Sequence, residues 1–64
     1  MKNLQRIRKE KGLSQSELAK KSNVNLRMIQ KYEIGVKDIN KASALTVYNL
    51  SVALGVSVPD LLEL

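Results

Sequence analysis

Apolar residues recur along the chain at helical spacing, in five short runs separated by Gly, Asn and Ser. Leu4 and Ile7, three positions apart, give the buried stripe of a first helix running from about Lys2 or Asn3 to Lys11. The aliphatic stem of Lys11 extends that stripe, Gly12 ends the helix, and Leu13 follows as a buried anchor. A second run, about Gln15 to Ser22, has a narrow apolar face of Leu18 and Ala19, the small Ala19 letting another helix approach. In a third, about Leu26 to Ile34, Val24, Ile29 and Tyr32 point to a core, while Arg27, Gln30, Lys31 and Ile34 lie on or beside the other face. Val47, Leu50 and Leu54 repeat at i, i+3 and i+7 in a fourth helix, Ala44 to Leu54, to which Ala44, Val52 and Ala53 add apolar surface. A short fifth helix starts at Ser57-Val58-Pro59-Asp60 and runs to the end of the chain with Leu61, Leu62 and Leu64. Ile39, alone in the loop VKDINKA, is expected to tuck against the core, as is Val56. The expected fold is all-α: a compact bundle of five short helices in one domain over residues 1–64. Helices this short depend on one another for stability.

The boundaries carry their own chemistry. Ser14 and Glu17 form a capping box, in which the hydroxyl accepts from the Glu17 N–H and the carboxylate reaches back to the Ser14 N–H. Ser22-Asn23 breaks the second helix, and Asn tolerates the left-handed backbone. Asn25 is a good N-cap for the third helix, and Gly35 suits its C′ position. Ser43 and Ser57 cap the last two helices, where Pro59 in the first turn and Asp60 at the positive end of the dipole are well placed. Helix, tight turn, helix over 15–34 is a helix-turn-helix pattern.

Charge changes the picture further. Residues 1–31 hold nine Lys or Arg against two Glu, a balance of +7, whereas residues 32–64 hold two Lys against four acids, a balance of −2. The basic part includes the helix-turn-helix. A one-sided positive field fits a polyanionic partner, although a solvated basic surface is the plain alternative. There is no His and no Cys, which removes the usual general base, the thiol nucleophile, most transition-metal sites and any disulfide. The six acidic residues are scattered, and no glycine-rich loop cradles a phosphate. An enzyme is therefore the weakest class, and no cofactor or metal is expected. No apolar run approaches membrane-spanning length, and the segment MKNLQRIRKEKG lacks the apolar core of a signal peptide, so a cytoplasmic location is the default. Two tyrosines are too few for a single-strand stacking platform.

Three segments, LSQSELAKKSNV, IQKYEIG and ALGVSVPDLL, in this order and spacing, resemble the phage repressor and Cro class of helix-turn-helix proteins, the xenobiotic-response-element family. The resemblance covers nearly the whole chain and implies a lambda-repressor-like DNA-binding domain. It implies that Gln15 contacts a DNA phosphate and braces the recognition helix, with Ser14 beside it at the same helix N-terminus, a favourable place for an anion. It places Asn25, Leu26, Arg27 and Lys31 toward base edges in the major groove. There Asn25 suits adenine, Arg27 suits guanine, Leu26 packs on a thymine methyl, and Lys31 reaches a base or a phosphate. Arg8 and Glu33 match an ion pair between the first and third helices, so Arg8 is structural, DNA-contacting or both. Tyr32 packs in or beside the core with its hydroxyl toward a phosphate, and Lys37 touches the backbone. Tyr48 is read as packing or as dimer-edge surface. The chain departs from the family pattern at Asn23, where Gly is usual, at Ile34, where Asn or Ser commonly contacts a phosphate, and in the longer loop from Gly35 to Ser43.

The function so implied is a sequence-specific regulator of double-stranded DNA, a repressor or Cro-like switch. It would bind a palindromic operator as a two-fold dimer, with two recognition helices about 34 Å apart in successive major grooves. Val58, Leu61 and Leu64 are the expected dimer interface, with intramolecular packing as the alternative for this apolar tail. The competing class is a protein-interaction module on the same fold, such as an antitoxin or adaptor.

Overall fold

A computed structural model describes all 64 residues. It contains α1 (Asn3–Glu10), α2 (Gln15–Ser22), α3 (Leu26–Ile34), a single 3₁₀ turn (Ile39–Lys41), α4 (Ala44–Leu54) and α5 (Val58–Leu61). The all-α expectation holds. The first helix stops one residue early, with Lys11 as its C-cap.

The caps do what the sequence requires of them. Ser14 Oγ accepts from Glu17 N–H at 3.0 Å, and Glu17 Oε1 accepts from Ser14 N–H at 2.8 Å. Asn23 sits in the left-handed region at φ 59°, the one non-glycine residue to do so. That single residue turns the chain from α2 into α3. Asn25 Oδ1 accepts from Arg27 N–H at 2.8 Å and starts α3. Gly35, at φ 83°, ends it. The loop after α3 is more ordered than a bare turn sequence suggests: Asp38 Oδ1 accepts from Asn40 N–H at 2.9 Å and caps the 3₁₀ turn, which carries Ile39 into the core.

The core joins Leu4 and Ile7 of α1, Leu18 of α2, Ile29 and Tyr32 of α3, Ile39, four residues of α4 and Leu61. Leu13, Val24 and Val56 pack against it half-buried. Leu18 is fully buried because α2 lies between α3 and α4. Ser22 and Ser51, buried polar residues, each donate a hydroxyl to a carbonyl within their own helix, Leu18 O and Tyr48 O, at 2.7 Å. No buried side-chain polar atom lacks a partner.

The C-terminal segment departs from expectation. Helix α5 ends at Leu61, and Leu62 is already extended. Leu61 has no exposed surface at all. Its assignment to a dimer interface is therefore corrected: it fills the core between α1, α4 and α5, and has nothing left to offer a second chain. Val58 is half-buried against the same core, and Leu64 is almost fully exposed. The last residues are tied down instead by polar groups. Asn3 donates its N–H to Glu63 Oε2 at 2.6 Å and its Nδ2 to Leu62 O at 2.8 Å. Asn40 exchanges two hydrogen bonds with the Glu63 backbone, both 2.8 Å.

Candidate nucleic-acid interface

Helix α3 presents one solvated face. At 3.6 residues per turn, Leu26, Arg27, Gln30, Lys31 and Ile34 fall within an arc of about 140°. All are exposed except Lys31, which is half-buried along its stem. The opposite arc holds Ile29, Tyr32 and Glu33, all buried. No acidic side chain lies on the outer face. Neither Arg27 nor Lys31 has an ion-pair partner, since only Arg6–Glu10 and Arg8–Glu33 pair within the chain. Two uncompensated cations thus project from the face with an amide, Gln30, between them. Gln30 was read from the sequence only as an outward residue. Its place between Arg27 and Lys31 gives it the same access, and a Gln amide can make the paired hydrogen bonds that recognise adenine.

Asn25 is less free than its position implies. Its Oδ1 already accepts from the Arg27 N–H in the helix cap, which leaves its Nδ2 as the available group. Leu26 is about one-third exposed and sits at the first turn of α3.

Behind this face lies a polar clamp on Glu33. Arg8 grips the carboxylate with two nitrogens, Nε to Oε2 at 2.7 Å and Nη2 to Oε1 at 3.0 Å. Its third nitrogen, Nη1, donates to Leu13 O at 2.8 Å. Gln15 Nε2 donates to Glu33 Oε1 at 2.9 Å. One carboxylate near the end of α3 therefore holds α1, the α1–α2 link and the first residue of α2. The Glu33 hydrogen bond, followed by the carboxylate's charge, raises the Arg8 pKa above its already high value against the opposing cost of burial. Arg8 is thus structural. The side chain is buried, and each guanidinium nitrogen donates to an acceptor inside the chain.

Gln15 braces α3 as the resemblance implies, but through Glu33, a partner that no local spacing signals. One of its two amide hydrogens is committed there, and the other is free to donate outward. The backbone N–H groups of Gln15 and Ser16 have no acceptor in the chain, so the start of α2 has donors directed at solvent. The Ser14 oxygen is held in the capping box, but its hydroxyl proton is uncommitted.

The far end of α3 leads to a groove lined by Lys2, Tyr32, Gly35 and Lys37. The Tyr32 ring is in the core, and its hydroxyl donates to nothing within the chain. Lys37 is exposed, with its backbone N–H anchored to Lys31 O at 3.2 Å. Ile34 is 71% exposed, an open apolar side chain at the end of the outer face of α3.

A family model for helix-turn-helix domains matches residues 4–61, which takes in every helix of the bundle except the first residue of α1. No curated protein and no solved structure matches significantly. No helix is long and apolar enough to cross a membrane. The match spans the α2–turn–α3 unit, the Glu33 clamp and the α4–α5 support together, and by it the chain belongs to the Cro/C1-type helix-turn-helix family of DNA-binding domains.

Proposed function

We propose that the chain is a sequence-specific transcriptional regulator, a cytoplasmic repressor that binds a palindromic operator with α3 in the major groove. The observation that carries this reading is the outer face of α3. Arg27, Gln30 and Lys31 project from it uncompensated while Glu33 fixes the helix from behind. Arg27 reads guanine through two hydrogen bonds, and Leu26 packs on a neighbouring thymine methyl. Lys31 serves a base or the adjoining phosphate. Asn25 contributes its free Nδ2 as a single donor rather than a paired contact.

Register on the duplex comes from the phosphates. The N–H groups at the start of α2, the Ser14 hydroxyl and the second amide hydrogen of Gln15 are donors suited to one phosphate. Lys37, and Tyr32 through its free hydroxyl, serve another beyond the end of α3. Two copies on a two-fold site place their α3 helices about 34 Å apart.

Selection from a randomised duplex pool at moderate salt tests this reading. Enrichment of a palindrome with half-sites one helical turn apart is the expected result. Binding that enriches no sequence and fades as salt rises would reduce the interaction to counterion release and overturn the reading.

A further inference from the structure

The groove at the far end of α3 takes its walls from four separate parts of the chain. Lys2 comes from the start of the polypeptide, Tyr32 and Gly35 from α3 and its cap, Lys37 and Asp38 from the loop that follows, and Glu63 from the last residues. Its volume is about 310 Å³, within the range of sites that take small molecules. Lys2 lies along Gly35, its Nζ 3.7 Å from where a Cβ would stand. Tyr32 is only 6% exposed, and its hydroxyl has no partner in the chain. No buried side-chain oxygen or nitrogen of the molecule lacks a partner, so that hydroxyl is the part of Tyr32 that solvent reaches, and the solvent it meets is in this groove.

Opposite charges border this space without pairing. Lys2 and Lys37 have no ion-pair partner, although Asp38 and Glu63 line the same groove. Each acid has one oxygen engaged by a backbone N–H: Asp38 Oδ1 by that of Asn40 at 2.9 Å, and Glu63 Oε2 by that of Asn3 at 2.6 Å. The other oxygen of each carboxylate accepts nothing from the chain. The groove thus offers two ammonium groups and a hydroxyl as donors, and two carboxylate oxygens as acceptors.

We propose that this groove binds a small free phosphate monoester that also carries hydroxyl groups, a sugar phosphate in chemical class. A monoester is close to dianionic at neutral pH, which matches two lysines, and its terminal oxygens accept from them and from the Tyr32 hydroxyl. The free oxygens of Asp38 and Glu63 accept from the ligand's hydroxyls. The chain's net charge of +5 disfavours a cationic group in their place. A backbone phosphate of DNA, a diester with a single charge, uses Lys37 and Tyr32 from outside and leaves most of the volume unfilled. Sugar phosphate and duplex therefore compete for the same two donors, which makes the small molecule an effector that releases DNA. This release rests on the use of Lys37 and Tyr32 on the operator proposed above, whereas occupancy of the groove does not.

Titration of the isotope-labelled full chain with ribose 5-phosphate, followed by its amide NMR shifts in the absence of DNA, tests the site. Saturable shifts concentrated on Lys2, Gly35, Lys37 and Asn40 are expected, with weaker binding of inorganic phosphate and none of ribose. Tyr32→Phe, which keeps the ring in the core, and Lys37→Gln, on the exposed loop, should each weaken binding about tenfold, the loss of one charge-assisted hydrogen bond. Lys20→Gln on exposed α2 should leave it unchanged. Absence of saturable binding, shifts spread over all the lysines with inorganic phosphate equally effective, or either groove variant binding as tightly as the parent would overturn the proposal. Tighter binding of phosphoethanolamine would overturn it too, by putting an amine where the hydroxyls are assigned. A second arm follows a labelled random duplex at low salt, where the basic chain binds whether or not it reads sequence. Ribose 5-phosphate should release this duplex more effectively than sulfate at equal ionic strength. A filled groove with no such release would overturn the effector role. A chain that binds ribose 5-phosphate but no duplex would overturn the proposed function and leave the site standing.

Discussion

Arg8 and Glu33, twenty-five positions apart, meet through two parallel hydrogen bonds of 2.7 and 3.0 Å in a part of the molecule that water barely reaches. The pair decides where α3 sits relative to α1, and Gln15 adds the register of α2 to the same carboxylate. A buried ion pair contributes modest net stability because both ions have lost their water, but removing one partner strands the other.

Glu33→Ala should therefore be among the most damaging single changes, costing about 3–5 kcal/mol by urea denaturation because the Arg8 charge is left buried and unpaired. The double variant Arg8→Met, Glu33→Leu should recover most of that loss. If the double variant were as unstable as the single one, the clamp would be acting through shape rather than charge.

Arg27→Ala and Gln15→Ala should separate reading from gripping. The first should lose about 1–3 kcal/mol at one operator position and relax preference there. The second should weaken all duplexes alike if, as proposed, the free amide hydrogen of Gln15 serves a phosphate while the other holds Glu33. Both are checked by competition binding across single-base operator variants. A uniform loss for Arg27→Ala, or a shifted preference for Gln15→Ala, would exchange the two roles.

Acid should act on the start of α2. The hydrogen bond from the Ser14 backbone N–H, then that with its side chain, holds the Glu17 pKa below the ordinary 4.5. A carboxylate with a lowered folded pKa adds stability that is fully present above the unfolded value and disappears as pH falls through the folded one. Thermal melts of Glu17→Gln should thus approach those of the parent chain below about pH 4 and lag behind them at neutral pH. Full exposure of Glu17 to solvent keeps the difference small.

Two leucines near the end of the chain should behave oppositely. Leu61→Ala opens a cavity in the core and should cost about 2–5 kcal/mol, whereas Leu64→Ser should leave the unfolding midpoint unchanged within error. Chemical denaturation of both variants checks this. From sequence the two residues belong to one apolar run, and a helix of four residues is too short for periodicity to say which faces inward.

That difference marks where sequence reading stops. The α2–turn–α3 unit was legible because its signals are local: Ser14 with Glu17, Asn23 in the left-handed turn, Asn25 as cap, Gly35 at the end. The Arg8–Glu33 pair was legible only through family resemblance. The Gln15–Glu33 hydrogen bond was not legible at all, because eighteen residues and a turn separate its ends. Asn25 was read as a base contact when one of its two polar atoms is spent on the cap. On α4 the repeat of Val47, Leu50 and Leu54 marked the buried side, but spacing alone did not say that Val52 faces outward while its neighbour Ala53 joins the core.

The hydrogen bonds that Asn3 and Asn40 make to Leu62 and Glu63 bring the beginning and end of the polypeptide side by side. The fold is thus nearly a closed ring, and the order in which its helices are synthesised is separable from the order in which they pack. A short polar linker joining the two ends, with new termini opened at the exposed Val36 and Lys37, should give a circular permutant with the same bundle. In that molecule α4 and α5 would precede the helix-turn-helix. The recognition helix would become the last element made, and it would dock onto four helices already synthesised, Arg8 of α1 among them.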